Sequence, residues 1–112
     1  MARVVAFVPD LLFGSNVIGA LQAGGHDPVL LSAPHQLPGA LAGADVLIVD
    51  LTDDVDARIA ATRDAEVKTL AFYSHVEADV RALATAAGFD LVVPRSRMAR
   101  AASSLVDELV GG

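Results

Sequence analysis

Apolar residues in this chain occur in short runs, separated by stretches of polar and turn-forming residues. The clearest run is 46–49, Val-Leu-Ile-Val, which lies between Asp45 and Asp50. Four consecutive large aliphatic residues are typical of a strand buried on both faces, as in a parallel sheet covered by helices. Comparable runs predict five strands in all, at residues 3–8, 28–31, 45–49, 67–72 and 90–93.

Helical patterns follow the first three strands. Val17, Ile18 and Leu21 fall on successive turns of a first helix, which the glycines at 24–25 end because glycine tolerates positive φ. Two prolines and a glycine in 32–39 restrict the second connection to a loop with about one helical turn at 38–41. The third helix is predicted from 52–54, where short oxygen-bearing side chains can cap it, to 63.

The last two helices also have sequence signals. Ser74 and Glu77 fit a capping box, in which Ser74 caps the helix and Glu77 bonds back to it. That fourth helix is predicted to run to Ala87, with Gly88 ending it. A fifth helix follows 94–96, and its apolar stripe consists of Met98, Ala102, Leu105 and Leu109.

Five successive strand–helix units indicate an α/β protein with a parallel sheet and right-handed crossovers. The 112 residues suffice for one domain, spanning 1–112. We therefore predict a three-layer, doubly wound sheet of five strands in the flavodoxin-like order 2-1-3-4-5, with a short or missing second helix.

Composition excludes several classes of function. The net charge of −6 argues against a nucleic-acid partner, because phosphate binding favours a basic surface. The absence of cysteine removes disulfides, thiol catalysis and thiolate metal sites. No apolar run approaches the ~20 residues of a membrane-spanning helix, and the first residues lack the pattern of a secretory signal. We expect a cytoplasmic protein of bacterial type with no membrane partner.

Chemically active side chains follow four strands that adjoin one another in the predicted order. Because the carboxyl ends of parallel strands meet at one edge, these side chains are expected to share a groove there. The helix N-termini that open on this groove favour anions. The candidates are Asp10 and Asp50 as metal ligands, Ser74, and an anion-binding set of His75, Arg95 and Ser96.

The order of elements and the run 47–51, Leu-Ile-Val-Asp-Leu, resemble the receiver domain of two-component response regulators over nearly the whole chain. The resemblance implies that Asp50 is the phosphoacceptor and that Asp10 helps to hold Mg²⁺. It also implies a switch role for Ser74, with Tyr73 as the alternative. Gly88 and Pro94 likewise stand where receivers have a glycine and a proline.

Two departures from the receiver pattern concern the phosphorylation chemistry. Receivers usually carry two adjacent acids after strand one, and here Pro9 precedes Asp10. Receivers have a lysine before the proline, and here that residue is Val93, with Arg95 after the proline. Arginine is not a simple substitute for lysine, since its charge is spread over a rigid fork. Phosphorylation is therefore expected to be weak or absent.

The favoured function is a stand-alone, non-enzymatic signalling module that acts through protein contacts. The face formed by helix four, strand five and helix five is typical of receiver dimers, and its mixed charges suit self-association. Those charges are Glu77, Asp79, Arg81, Arg97 and Arg100.

Two other functions remain open. Residues 21–29 contain a Gly-His pair that is similar to cobalamin-binding and sugar-nucleotide-binding domains, so a small-molecule site at the same edge is the alternative. An enzyme that uses Asp10 or Asp50 with His75 is the third possibility. Each candidate also has a structural interpretation: Asp10, Asp50 and Ser74 as turn or cap residues, and His26 and His35 as surface residues in turns.

Overall fold

A computed structural model describes residues 1–74 and 76–111 of the chain. A five-stranded parallel sheet has the order β2-β1-β3-β4-β5, which confirms the predicted topology. In chain order the elements are β1 Arg3–Phe7, α1 Leu11–Ala23, β2 Asp27–Leu31, a 3₁₀ turn Pro34–Gln36, α2 Leu37–Leu41, β3 Val46–Asp50, α3 Val55–Thr62, β4 Lys68–Tyr73, α4 Ala78–Ala86, β5 Leu91–Pro94 and α5 Arg95–Gly111.

Both faces of the sheet are buried, because alternate residues of each central strand point to opposite layers of helices. All five residues of β3 are buried, which is the arrangement predicted from its aliphatic run. One set of side chains packs with α1 and α5, and it includes Val4, Ala6, Val46, Ile48, Leu70, Phe72, Met98 and Leu105. The other set packs with α2, α3 and α4, and it includes Val5, Phe7, Leu47, Val49, Ala71, Tyr73, Ile59 and Val80.

The second helix is short, as expected from its prolines. It comprises five residues and carries Pro38 in its first turn, where the missing N–H costs no helical hydrogen bond. Leu37 is its buried residue and anchors the segment against the sheet. Of the stripe predicted for the last helix, Met98, Ala102 and Leu105 are buried, and Leu109 is partly buried against the same core. The helix is kinked at Ala101, whose φ of −135° is not helical.

The predicted beginnings of the third and fourth helices have different outcomes. The N-cap of α3 is Asp54, inside the predicted 52–54, but it makes no side-chain cap bond, and the hydroxyl of Thr52 donates to Asp50. The predicted capping box at the fourth helix is wrong, since Glu77 is itself the N-cap of α4 and makes no side-chain cap bond. The backbone N–H of Glu77 donates to the carbonyl of Ser74 at 2.9 Å, so these residues form a turn ahead of the helix.

The interpretation of His26 as a surface residue is wrong. Its side chain is only 3% exposed and lies between the start of β1 and helix α5. The backbone N–H of Ala2 donates to Nδ1 at 3.0 Å, so that nitrogen is unprotonated, and Nε2 carries the proton donated to Asp107 at 2.9 Å. A turn usually lies at the surface, but here the chain re-enters the sheet at Asp27 and carries the ring inward. His35 is exposed, as expected.

Each edge strand contains a proline. Pro28 pairs with Val4 in β2, and Pro94 pairs with Tyr73 at the end of β5. Proline within a sheet is found mainly on edge strands, since it cannot donate a hydrogen bond to a neighbour. In residues 1–74 and 76–111, none of the helices combines the length and hydropathy needed to span a bilayer.

Helices α1 and α5 approach each other closely at Gly24. A Cβ atom added there would lie 2.8 Å from the Cβ of Ser103, closer than two carbon atoms can pack. Gly19 lies on the same helix, and a Cβ added there would meet no atom within 4 Å. Gly24 therefore packs directly against α5, whereas the space beside Gly19 is open.

We expect alanine at these two glycines to have opposite effects on stability. Gly19→Ala should raise the free energy of unfolding by about 1 kcal/mol, since alanine is the better helix former. Gly24→Ala should lower it by roughly 1–3 kcal/mol, because α1 and α5 must separate to admit the methyl group. Urea unfolding followed by circular dichroism measures both, and equal effects of the two substitutions would contradict the close approach.

Candidate functional site

The carboxyl edge of the sheet carries most of the predicted site residues. Asp50 ends β3, Asp10 follows β1, Ser74 follows β4 and Arg95 begins α5. His75, predicted to bind anions, lies outside the described residues. The other charged side chains form two pairs, Asp10 with Arg95 and Asp50 with Arg58. That these pairs line one groove stays a prediction.

Asp10 is the N-cap of α1. Its Oδ1 accepts a hydrogen bond from the backbone N–H of Phe13 at 3.1 Å, which satisfies one of the free donors of the first turn. Its Oδ2 lies 3.7 Å from a terminal nitrogen of Arg95, so the predicted neighbourhood of these two residues is present. Both side chains are about half exposed, and an ion pair of this kind contributes only ~0–1 kcal/mol.

The guanidinium of Arg95 has a second partner in the ring of Phe13. The central guanidinium carbon lies 4.1 Å from the ring centroid, within the range of a cation–π contact. Phe13 in turn packs on Phe72 with a centroid distance of 5.1 Å. Arg95 is thus held between Asp10 and an aromatic ring. Ser96 is exposed, and its carbonyl accepts a hydrogen bond from Nε of Arg100 at 3.4 Å.

Asp50 is buried, with 2% of the residue exposed. Its Oδ1 accepts two hydrogen bonds from Thr52, one from the backbone N–H at 2.8 Å and one from the hydroxyl at 2.5 Å. Its Oδ2 faces a terminal nitrogen of Arg58 at 3.6 Å. A buried carboxylate must be paired and hydrogen-bonded to be tolerated. Oδ1 of Asp50 accepts the hydrogen bonds, and Oδ2 has the ion pair with Arg58.

Arg58 is the site residue that sequence reasoning missed. It lies on α3, its side chain is 12% exposed, and it also donates to the carbonyl oxygen of Asp50 at 3.0 Å. A signal for it was present in the sequence. Val55, Ile59 and Thr62 form the inward stripe of α3, and Arg58 falls beside that stripe at the spacing i+3 from Val55. A charged residue at such a position needs a buried partner.

Two further residues bear on the phosphorylation chemistry that the resemblance implies. Ser74 is half-buried at the end of β4, so its predicted switch role stays a prediction, while Tyr73 is buried in the core beneath α4. Val93, which stands where receivers carry a lysine, is 2% exposed and packs in the core with α5. Its side chain therefore offers no cation to the edge of the sheet.

The two acids predicted to hold Mg²⁺ already have partners in the chain. No group of three His, Asp or Glu side chains able to hold a metal ion occurs in residues 1–74 and 76–111. Mg²⁺ requires oxygen ligands free to approach it, with several waters retained. Asp10 is committed to a helix cap and Asp50 to Thr52 and Arg58. The assignment of Asp10 and Asp50 as metal ligands stays a prediction, and their contacts weigh against it.

Cavities lie at both ends of the sheet. One of about 570 Å³ opens at the amino ends of β3, β4 and β5, where Lys68 and Asp90 are among its lining residues. This is the edge opposite to the predicted site. A smaller cavity of about 180 Å³ lies at the carboxyl edge, and its lining consists of Phe7, Pro9, Ser32, Pro34, Asp54, Ala57 and Arg58. This smaller cavity lies at the edge where a small-molecule site is predicted.

Two substitutions of Asp10 distinguish the stability contributed by its helix-capping hydrogen bond from that contributed by its negative charge. Asp10→Ala should lower the free energy of unfolding by about 1 kcal/mol, because the N–H of Phe13 loses its acceptor. Asp10→Asn should change it by less than about 0.5 kcal/mol, since asparagine caps equally well and the exposed pair with Arg95 contributes little. Urea unfolding of both variants checks this, and an equally large loss in Asp10→Asn would show that the charge dominates.

Neither a protein-family model nor a curated protein sequence matches this chain. Solved structures do match it. A response regulator from Thermotoga maritima has a TM-score of 0.84 and 13% identity, over 100% of this chain and 99% of that chain. A response regulator receiver protein from Burkholderia phymatum has a TM-score of 0.83 and 19% identity, over 99% of this chain and 96% of that chain.

A third similar structure is an atypical orphan response regulator, described as having a phosphorylation-independent regulatory mechanism. It has a TM-score of 0.73 and 13% identity, over 97% of this chain and 95% of that chain. At these identities the similarity concerns the fold. The five parallel strands in the order 2-1-3-4-5, with helices on both faces, are those of a response-regulator receiver domain, and this is the fold of the chain.

Proposed function

We propose that this chain is a receiver-like signalling module that acts by protein–protein contact, with phosphorylation of Asp50 slow or absent. The observation that carries the proposal is the combination of a receiver fold with a carboxyl edge whose charged groups already have partners in the chain. Asp10 is paired with Arg95, and Asp50 with Thr52 and Arg58. A receiver fold favours a role in signalling. Because the charged groups at the carboxyl edge already pair within the chain, we infer that the signal is carried by protein–protein contact.

The chemistry of phosphoryl transfer supports this proposal. Transfer to a carboxylate needs cations that stabilise the charge on the phosphoryl oxygens, together with an accessible nucleophile. Asp50 is 2% exposed, and Thr52 already donates two hydrogen bonds to its Oδ1. Val93 supplies no charge, and Arg95 is held by Asp10 and Phe13. If Asp50 does accept a phosphoryl group, we propose that Ser74 senses it.

A related structure supports the same mode of action. The atypical orphan response regulator with a similar fold is described as regulated independently of phosphorylation. A receiver fold is therefore compatible with regulation through contacts alone. We extend that mode to this chain because of the contacts made by its own Asp50.

The surface formed by α4, β5 and α5 is the proposed contact face. Glu77 and Asp79 lie at the start of α4, and Arg97 and Arg100 lie near the start of α5, all four exposed. In a two-fold symmetric dimer each copy presents the same patch, so the acids of one α4 can face the arginines of the other α5. We propose self-association through this face, for which charge complementarity is the argument.

Phosphorylation can be tested with acetyl phosphate in Mg²⁺ buffer, followed by intact-mass spectrometry. We expect the phosphorylated form to remain a small minority of molecules, because Asp50 is buried and Thr52 donates two hydrogen bonds to its Oδ1. Asp50→Asn is the control that shows whether any added mass belongs to this residue. Rapid and stoichiometric phosphorylation that Asp50→Asn abolishes would contradict the proposal.

Self-association can be tested by sedimentation equilibrium. We expect Arg97→Glu to weaken the dimer about tenfold, equivalent to ~1.4 kcal/mol, because it places like charges opposite one another. Adding Asp79→Arg to the same chain should restore part of the loss.

Arg63→Glu is the matched control for this experiment, since it makes the same change on an exposed part of α3 outside the face. It should leave the equilibrium unchanged. A wild-type chain that stays monomeric at about 1 mM would contradict self-association.

A further inference from the structure

The carboxyl group of Asp50 is only 3% exposed, so a negative charge on it needs partners inside the protein. Thr52 satisfies Oδ1 with two neutral donors, which provide hydrogen bonds and no charge. Burial of an ion without a counter-charge is strongly unfavourable. A cation close to Oδ2 is therefore the remaining requirement of this site.

Arg58 meets this requirement from within the fold. Its terminal nitrogen is 3.6 Å from Oδ2 of Asp50, an ion-pair distance, and the same nitrogen donates to the carbonyl oxygen of Asp50 at 3.0 Å. Its guanidinium carbon also lies 5.9 Å from the centroid of the Phe7 ring, within the range of a cation–π contact. These three contacts fix a side chain that would otherwise be free to leave.

We propose that Arg58 is the built-in counter-cation of Asp50 and takes the electrostatic place of a divalent metal ion. The proposal rests on the function proposed above and gives the physical reason why Asp50 is not metal-activated. A guanidinium 3.6 Å from Oδ2 repels a second cation that approaches this oxygen. The missing second acid before Asp10 fits this arrangement, since Pro9 adds no negative charge to attract a metal.

The proposal predicts that removal of Arg58 creates a metal site at Asp50. Mn²⁺ is the probe, measured by the loss of the free-ion signal in electron paramagnetic resonance. The variant Arg58→Gln keeps a hydrogen-bond donor and loses the charge. We expect it to bind Mn²⁺ at least about tenfold more tightly than the wild type, because a repelling charge is exchanged for a neutral amide.

Controls distinguish this effect from a loosened structure. Arg63→Gln removes an exposed arginine from the same helix and should leave Mn²⁺ affinity at the wild-type level. The double variant Arg58→Gln with Asp50→Asn should lose the gained affinity, because its ligand is gone. Mg²⁺ at increasing concentration should raise the unfolding temperature of Arg58→Gln more than that of the wild type.

Three results would overturn the proposal. They are equal Mn²⁺ affinities of the wild type and Arg58→Gln, an equal gain in Arg63→Gln, and a gain that survives Asp50→Asn. If Arg58→Gln does not fold, a variant carrying Asp50→Asn together with Arg58→Met should fold, since it removes both charges at once. Failure of that double variant as well would show that Arg58 has a role independent of Asp50.

The two proposals fail in different experiments. A wild-type chain that stays monomeric would contradict self-association and leave the Mn²⁺ comparison unaffected. Equal Mn²⁺ affinities would contradict the role of Arg58 and leave the sedimentation result unaffected.

Discussion

The structure depends on a parallel sheet that is buried on both faces. Every residue of β3 is buried, and alternate side chains along β1, β3 and β4 enter two separate cores. Each large aliphatic or aromatic side chain so buried contributes roughly 1.5–3 kcal/mol, which accounts for the tight specification of strand order and register. Because both faces are covered by helices, polar chemistry is confined to the two ends of the strands. The placement of Asp10, Asp50 and Arg95 at one end follows from this constraint.

At that end, the fold brings together charges that largely neutralise one another. One cluster holds Arg95 between a helix-capping carboxylate and an aromatic ring, at the half-exposed surface. The other holds the buried Asp50 between Thr52 and Arg58. The two clusters differ in their contribution to the stability of the fold. The exposed pair of Arg95 and Asp10 adds little stability. Loss of a partner of the buried Asp50 would be strongly destabilising. The chain thus has a receiver fold in which the charged groups at the carboxyl edge contact one another.

The sequence predicted the fold well because the signals for the strands are local. A run of four large aliphatic residues such as 46–49 predicts a buried strand. The prolines of the second connection correctly predicted that α2 is short. The errors occurred where a side chain had two possible partners. Ser74 and Glu77 have capping-box spacing, yet the strand continues to Tyr73 and a turn precedes the helix. Thr52 could cap a helix and bonds Asp50 instead, and His26 follows a turn yet packs beneath α5. The pairing of Arg58 with Asp50 depends on the crossover of α3 above β3, which only the tertiary structure defines.

The prolines of the two outer strands bear on how copies of this chain can meet. An exposed strand edge is a template for a further strand, and such edges are a common origin of fibrous aggregation. Here β5 has only four residues and ends in Pro94, and β2 carries Pro28 near its start. Each outer strand thereby lacks one backbone N–H, so neither side of the sheet can be extended by a regular ladder. Edge-to-edge addition of a strand from another copy is therefore disfavoured at both sides of the sheet, which lowers the tendency to form fibres.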